Sequence, residues 1–383
     1  MHRPHLLALA LLSTGVLTLA ACSGSDPEQA ATTDDGTAED TTPATTPADS
    51  GQLVAAAGRM QQAARETGDA MMETCRTLQA RVTGFLQHPD DSGRDAAREA
   101  WHECYEHWNR FLVFHQVAFT PRDAAALVRT GRLINTRPFQ PGYIDGLPEY
   151  PYSGLVHETG MVLSLSTLLD QHQMMDEESA SLGFPVVETL LWREPLAELW
   201  IAGEEEDTSV VPRRRQYLEV ATEELLAQLR SARDRWQTDT SLRDVPNAIQ
   251  ARVLLRSLER LVYQALLTRT FAEGALDDPE WHHPSAVAGQ GRRHMLARVA
   301  GLERLLGVTP NGTNPITVWI DEAFEQPDGA TLREHLAAVR STIEALPANA
   351  PLGDVDVESF NQARQAIATL HQDLNTLFEA TNP

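Results

Sequence analysis

The sequence predicts an all-α fold of two helical bundles in tandem, and three observations support this prediction. Apolar residues recur three and four positions apart over long stretches, which is the spacing of one face of a helix. Alternating apolar and polar residues, the pattern of a half-buried strand, are nearly absent. With 383 residues, the chain is long enough for two domains of ordinary size.

The amino terminus, residues 1–21, is predicted to be a lipoprotein signal peptide. Arg3 precedes an apolar run that ends in small residues, which is the layout of an export signal rather than of a lasting membrane span. The letters LAAC at 19–22 resemble the lipobox of bacterial lipoproteins, so Cys22 is expected to be the first mature residue and to carry lipid. The alternative is a plain secretory signal followed by an incidental cysteine. Because Ser23 rather than Asp follows, the resemblance favours the periplasmic face of the outer membrane.

Residues 22–51 are predicted to form a disordered acidic tether between the lipid and the folded part. They consist mostly of Thr, Ala, Pro, Asp and Glu, with few side chains to bury. The whole chain has a formal charge of −23, which repels nucleic acid and argues against it as a partner. The membrane, reached through the lipid on Cys22, is the partner that the sequence predicts.

The N-terminal bundle is predicted at residues 52–203, and it begins with an antiparallel helical hairpin. Two apolar stripes flank a turn at residues 88–93. Cys75 and Cys104 lie on these stripes, and their midpoint falls in the turn, so they are expected to face each other across the hairpin. An oxidising compartment would then allow a disulfide, the alternative being two buried free thiols.

A domain boundary is predicted at the acidic break 204–207, so that residues 204–383 form the C-terminal bundle. Before this break, a Pro- and Gly-rich connector at 137–146 is incompatible with regular helix, and helical periodicity resumes at about 155–172. After the break, long helical patterns run at roughly 212–237, 246–273, 286–307, 329–346 and 356–380.

The stretch SLGFPVVETLLW, residues 181–192, contains a single carboxylate, Glu188, on an otherwise apolar helix. A buried carboxylate without a partner costs several kcal/mol, so this one needs compensation. One interpretation is structural: the helix dipole or one of the many arginines stabilises the charge. The other interpretation is a ligand or metal pocket between the bundles, in which Glu188 is helped by His115, Tyr143 and Asp145.

The same stretch resembles the signature of the imelysin-like family, also called peptidase family M75. That signature is Gly-x-His-x-x-Glu before an apolar run that ends in Leu-Leu-Trp; Gly183 and Glu188 match it, whereas Pro185 stands at the histidine position. Weaker similarities to the family lie at residues 142–145, 213–218 and 282–285. The resemblance implies a helical two-bundle fold and a link to bacterial iron acquisition, which many members have.

The proline at the histidine position changes the expected chemistry. His and Glu three residues apart on a helix face the same way and could share one metal ion, but proline offers no ligand atom and simply favours a helix start. We therefore predict a non-catalytic binding or accessory component of iron or other ligand uptake, with other envelope iron-uptake proteins as candidate partners. The alternatives are a metal-dependent peptidase with replacement ligands and an envelope scaffold without a small-molecule site. Glu188 is the one candidate metal ligand, for iron or zinc, and no catalytic residue is assigned.

Overall fold

The computed structural model describes residues 51–201, 210–237, 245–278, 282–285, 287–307, 312–348 and 354–381. The predicted signal peptide, the lipidated Cys22 and all but the last residue of the predicted tether lie outside these ranges. Within them the chain contains helices and no strands, which confirms the all-α fold class. None of the helices in these ranges is long and apolar enough to cross a membrane.

The helices are numbered here in chain order, and α10 is π-helical and continues directly from α9. They are α1 (Gly51–Gln87), α2 (Asp91–His115), α3 (Pro121–Asn135), α4 (Pro141–Ile144), α5 (Leu165–Gln171), α6 (Phe184–Trp192), α7 (Leu196–Trp200), α8 (Val210–Gln237), α9 (Asn247–Arg260), α10 (Leu261–Thr270), α11 (Gly291–Leu306), α12 (Pro315–Ala323), α13 (Gly329–Glu344) and α14 (Val357–Ala380).

The short helices α4 and α7 were not expected from periodicity, and α4 lies within the connector 137–146, where the prediction of no regular helix is wrong. Two longer helices, α3 and α12, were not expected either. Each begins with a capping side chain followed by a proline, Thr120 before Pro121 and Asn314 before Pro315, and each cap accepts a backbone N–H of the first turn. In α3 only Ile134 is fully buried, so this helix lacks the apolar stripe that reveals a core helix. The helix-start signals, rather than the spacing of apolar residues, mark both helices in the sequence.

The predicted hairpin of α1 and α2 lies at the centre of the packing. Helices α8, α11 and α12, from the carboxy-terminal half, pack against it. Its contact faces carry large side chains that are almost completely buried, among them Trp101, Trp108 and Phe111, and each such side chain contributes roughly 1.5–3 kcal/mol through removal from water. The hairpin thus joins helices from both sides of the boundary at 203/204, and the division into bundles 52–203 and 204–383 stays a prediction.

The hairpin also carries the predicted disulfide. Cys75 of α1 and Cys104 of α2 are bonded, with Cα atoms 4.6 Å apart and a sequence separation of 29 residues. The prediction of a bond is therefore confirmed, and the alternative of two free thiols is wrong. Closing a loop of this length restricts the unfolded chain, and such a bond stabilises a fold by about 3 kcal/mol.

Candidate functional site

The helix that carries Glu188 begins where its sequence predicts. Gly183 precedes α6 with φ +89°, and a Cβ at this position would lie 2.5 Å from the carbonyl oxygens of Leu133 and Ile134. Only glycine tolerates both the conformation and the close approach, so this residue holds α6 against the end of α3. Pro185 is the second residue of α6, where its missing N–H costs no helical hydrogen bond.

Glu188 lies in the second turn of α6 and is completely buried. Its carboxylate accepts hydrogen bonds from Nη2 of Arg137 and, at 2.9 Å, from the backbone N–H of Ala288. Burial alone would lower the pKa of Arg137, but the charge of Glu188 and the Tyr105 hydroxyl outweigh it and keep this pKa above its ordinary value. Glu188 therefore has an arginine partner, as the structural interpretation expects, and lies beyond the first turn where the helix dipole acts most strongly.

Asp145 forms a second buried centre, which joins the connector after α4 to α8. Two nitrogens of the Arg214 guanidinium, from α8, donate to it: Nε to Oδ2 at 2.6 Å and Nη2 to Oδ1 at 3.0 Å. His157 Nε2 lies 3.1 Å from Oδ1, and the N–H of Gly146 donates to the same oxygen at 2.9 Å. Burial would raise the pKa of Asp145, but the hydrogen bonds from His157 and Arg214, together with the nearby arginine charges, lower it to about 2.

The other two predicted site residues have separate partners. The Tyr143 hydroxyl donates to the carbonyl oxygen of Gln171 at 2.8 Å. His115, which is buried on α2, places Nε2 3.1 Å from the carbonyl oxygen of Leu127. Burial lowers the pKa of His115 to about 4, so at neutral pH the ring is neutral and its Nε2–H donates to Leu127.

The four predicted residues are thus not joined into one cluster. No hydrogen bond or ion pair within the described ranges links any two of Glu188, His115, Tyr143 and Asp145. Two of the four positions lie beside the same cavity. His115 lines this cavity, and so does Arg137, the partner of Glu188. A ligand role for the four residues stays a prediction.

This cavity, which we call the arginine cavity, has a volume of about 510 Å³. It lies between α2, α3, the loop after α3, residues 173–178, the end of α9, α10 and α11. Two carboxylates, Glu177 and Glu178, also line it. Its five lining arginines are Arg132, Arg137, Arg260, Arg269 and Arg298.

The most deeply buried of these arginines is Arg298 of α11, whose side chain is 3% exposed. Its Nε donates to Oδ1 of Asn109 at 2.7 Å, and its Nη1 donates to the carbonyl oxygen of Ala265 at 2.6 Å and to Oγ1 of Thr270 at 3.1 Å. All three acceptors are neutral. Burial lowers the pKa of Arg298, as expected for a cation without a counterion.

The arginines at these centres were not singled out from the sequence. Arg137 is the first residue of the Pro- and Gly-rich connector, and Arg214 lies in the run Arg213–Arg215. The burial of Arg298 is recognisable from the sequence, because this residue lies on the inward stripe of α11 between the buried Met295 and Leu302. A charged residue on an apolar stripe indicates either a buried ion pair or a site.

The surroundings of Glu188 do not fit a metal ion. Its carboxylate is bonded to the Arg137 cation, and Pro185, at the position where a histidine would ligate, has no ligand atom. Across the part of the chain that the structure describes, no group of three or more His, Cys, Asp or Glu side chains is arranged to hold a metal ion.

Similarities to known proteins extend over most of the chain. A family model described as imelysin matches residues 64–380. The crystal structure of an imelysin-like protein from Psychrobacter arcticum 273-4 is similar, with a TM-score of 0.55 and 16% identity over 85% of this chain and 96% of that chain. The structure of a putative iron-regulated protein A precursor from Parabacteroides distasonis ATCC 8503 has a TM-score of 0.58 and 13% identity over 86% and 95% of the two chains. No curated protein sequence matches.

Proposed function

The chain belongs to the imelysin family, and from this premise we propose that it is a lipid-anchored, non-catalytic binding component of iron or other ligand uptake at the cell envelope. One observation carries the proposal. The carboxylate of the family signature, Glu188, is bonded to Arg137 beside a cavity of about 510 Å³, with Pro185 at the histidine position. This arrangement favours holding a small molecule over metal-dependent hydrolysis.

The peptidase alternative needs a metal site that these residues do not offer. A catalytic zinc centre uses three protein ligands and leaves one position open. At Glu188 the neighbouring cation is a guanidinium, which would repel a metal ion from the same carboxylate. Replacement ligands would have to come from elsewhere in the chain.

The cavity favours a binding role over the scaffold alternative. Its volume of about 510 Å³ is of the size that small-molecule sites have, roughly 300–1,000 Å³. The iron-related part of the proposal is supported by the family and by the similar structure that is named as an iron-regulated protein A precursor. The lipobox-like end of the signal peptide supports an anchor on Cys22 at the periplasmic face of the outer membrane.

We expect cells that lack this protein to take up less labelled iron under iron limitation than cells that carry it. The wild-type gene should restore uptake, because the binding component is returned to the envelope. A Cys22→Ser variant, which cannot be lipidated, should restore it poorly. Equal uptake by cells with and without the protein would contradict the proposed function.

We expect the protein purified without chelators to contain far less than one equivalent of iron or zinc by elemental analysis. The physical reason is the Arg137 cation at Glu188 and the absent ligand at Pro185. The matched comparison is a Pro185→His variant, which restores the family's residue. Stoichiometric metal in the native protein, together with peptide hydrolysis that a chelator abolishes, would favour the enzyme alternative.

A further inference from the structure

We propose that the arginine cavity is an anion site that takes a small polycarboxylate, with Arg260, Arg269 and Arg298 as its binding residues. The inference rests on the proposed function, because it names the ligand class of the same cavity. It differs from the family signature in its chemistry, since it assigns the site to guanidinium groups rather than to a carboxylate and a histidine.

The charge of the cavity is opposite to that of the chain. The protein has a formal charge of −23, yet five arginines and two glutamates line this one space. Two of the arginines are compensated: Arg137 pairs with Glu188, and Arg132 lies 3.8 Å from Glu177. The other three, Arg260, Arg269 and Arg298, form no ion pair with any residue that the structure describes. An anion in the cavity would supply the missing counter-charge.

The three uncompensated arginines lie at different depths. Arg298 is buried at the inner end, where its hydrogen bonds go to neutral oxygens. Arg260, at the end of α9, is half-buried, and its buried Nε has no hydrogen-bond partner in the described ranges. Arg269 of α10 is exposed. Burial lowers the pKa of Arg260 and Arg298, which is the cost that a bound anion would offset.

The backbone beside the cavity is itself unusual. Helix α10 has π-type turns over ten residues, and such turns are rare and concentrate at functional sites. Three of its residues, Gln264, Ala265 and Arg269, line the cavity. Arg298 donates hydrogen bonds to the carbonyl oxygen of Ala265 and to the side chain of Thr270. These bonds hold the buried guanidinium against the π-helical segment.

A polycarboxylate suits these groups better than a bare metal cation or a neutral ligand. Guanidinium is planar and binds carboxylate with two parallel hydrogen bonds, and three such groups favour a ligand with two or three carboxylates. The proposed link to iron agrees with this choice. Carboxylate oxygens bind hard cations, so iron chelated by a polycarboxylate can carry the negative charge that the cavity attracts.

The test is isothermal titration of citrate into the mature chain carrying Cys22→Ser, with trimethyl citrate as the neutral probe of the same carbon skeleton. We expect saturable citrate binding that weakens as sodium chloride is raised. Trimethyl citrate should not bind. Arg260→Gln and Arg269→Gln should each weaken citrate binding by about tenfold, the effect of losing one hydrogen bond to a charged group. Arg252→Gln, which removes the same charge from an exposed position of α9 outside the cavity, should bind citrate like the wild type.

Each other outcome would overturn the inference. Equal binding of trimethyl citrate would show that charge is not recognised, and citrate binding unchanged by Arg260→Gln and Arg269→Gln would place the anion elsewhere. Binding of inorganic phosphate but not of citrate would exclude the polycarboxylate. None of these results would contradict the proposed function. That proposal is contradicted by a different result, equal iron uptake with and without the protein.

Discussion

Replacing Glu188 by alanine should lower the free energy of unfolding by about 3–5 kcal/mol at neutral pH, because the substitution leaves the Arg137 cation buried without its partner. Arg137 is 7% exposed and Glu188 is not exposed at all, so water compensates for little of the lost carboxylate. The backbone N–H of Ala288 also loses its acceptor, which adds a second unsatisfied group. Urea denaturation of the Cys22→Ser chain, followed by circular dichroism, measures the loss.

Two further variants separate the buried ion pair from a general effect of truncation. Replacing both partners, as Arg137→Met with Glu188→Leu, should recover much of the stability, since no buried charge is then left alone. Glu223→Ala removes a carboxylate from an exposed position of α8 and should change stability by less than about 0.5 kcal/mol. A Glu188→Ala protein as stable as the Glu223→Ala protein would mean that the Arg137–Glu188 pair does not form.

The helices predicted from the sequence are those that bury a continuous apolar stripe. Helices α1, α2 and α8 each place many apolar side chains in the core, and a regular spacing of three and four reveals such helices. The region around 155–172, predicted as helical, contains a short 3-10 turn at Leu155–His157 and the seven-residue helix α5 instead. Ser164 accepts the backbone N–H of Thr167 and starts α5 as a new helix, so the spacing of apolar residues ran across two separate elements.

The need for a partner at Glu188 followed from the sequence, but the partner did not. Burial of the acid was evident from its apolar neighbours, and the cost of an unpaired charge is general. Arg137 lies 51 residues away, and Arg214 lies 69 residues from Asp145. Periodicity within one helix tells which face is buried, whereas the meeting of two buried charges depends on how separate elements pack.

The second large effect is expected at the other buried carboxylate, where Arg214→Met should lower the free energy of unfolding by about 3 kcal/mol at neutral pH. Asp145 is 1% exposed and would lose both hydrogen bonds from the guanidinium, keeping those from His157 and Gly146. Methionine retains most of the length of the arginine side chain. The loss of stability therefore reflects the removed charge more than a change in packing. Urea denaturation at neutral pH gives its size.

The pH dependence then assigns the loss to Asp145. In the wild type its pKa of about 2 lies below the ordinary value of 3.8, so the carboxylate stabilises the native state above about pH 4, and this contribution of about 2 kcal/mol is lost as the pH falls towards 2. Buried histidines also reduce stability on acidification, because burial lowers the pKa of His102, His115 and His172 to about 4. Wild type and variant share the histidine contribution, so the difference between their stability curves isolates the carboxylate. That difference should be largest at neutral pH and shrink between about pH 4 and pH 2, and a constant difference would mean that Arg214 acts through packing alone.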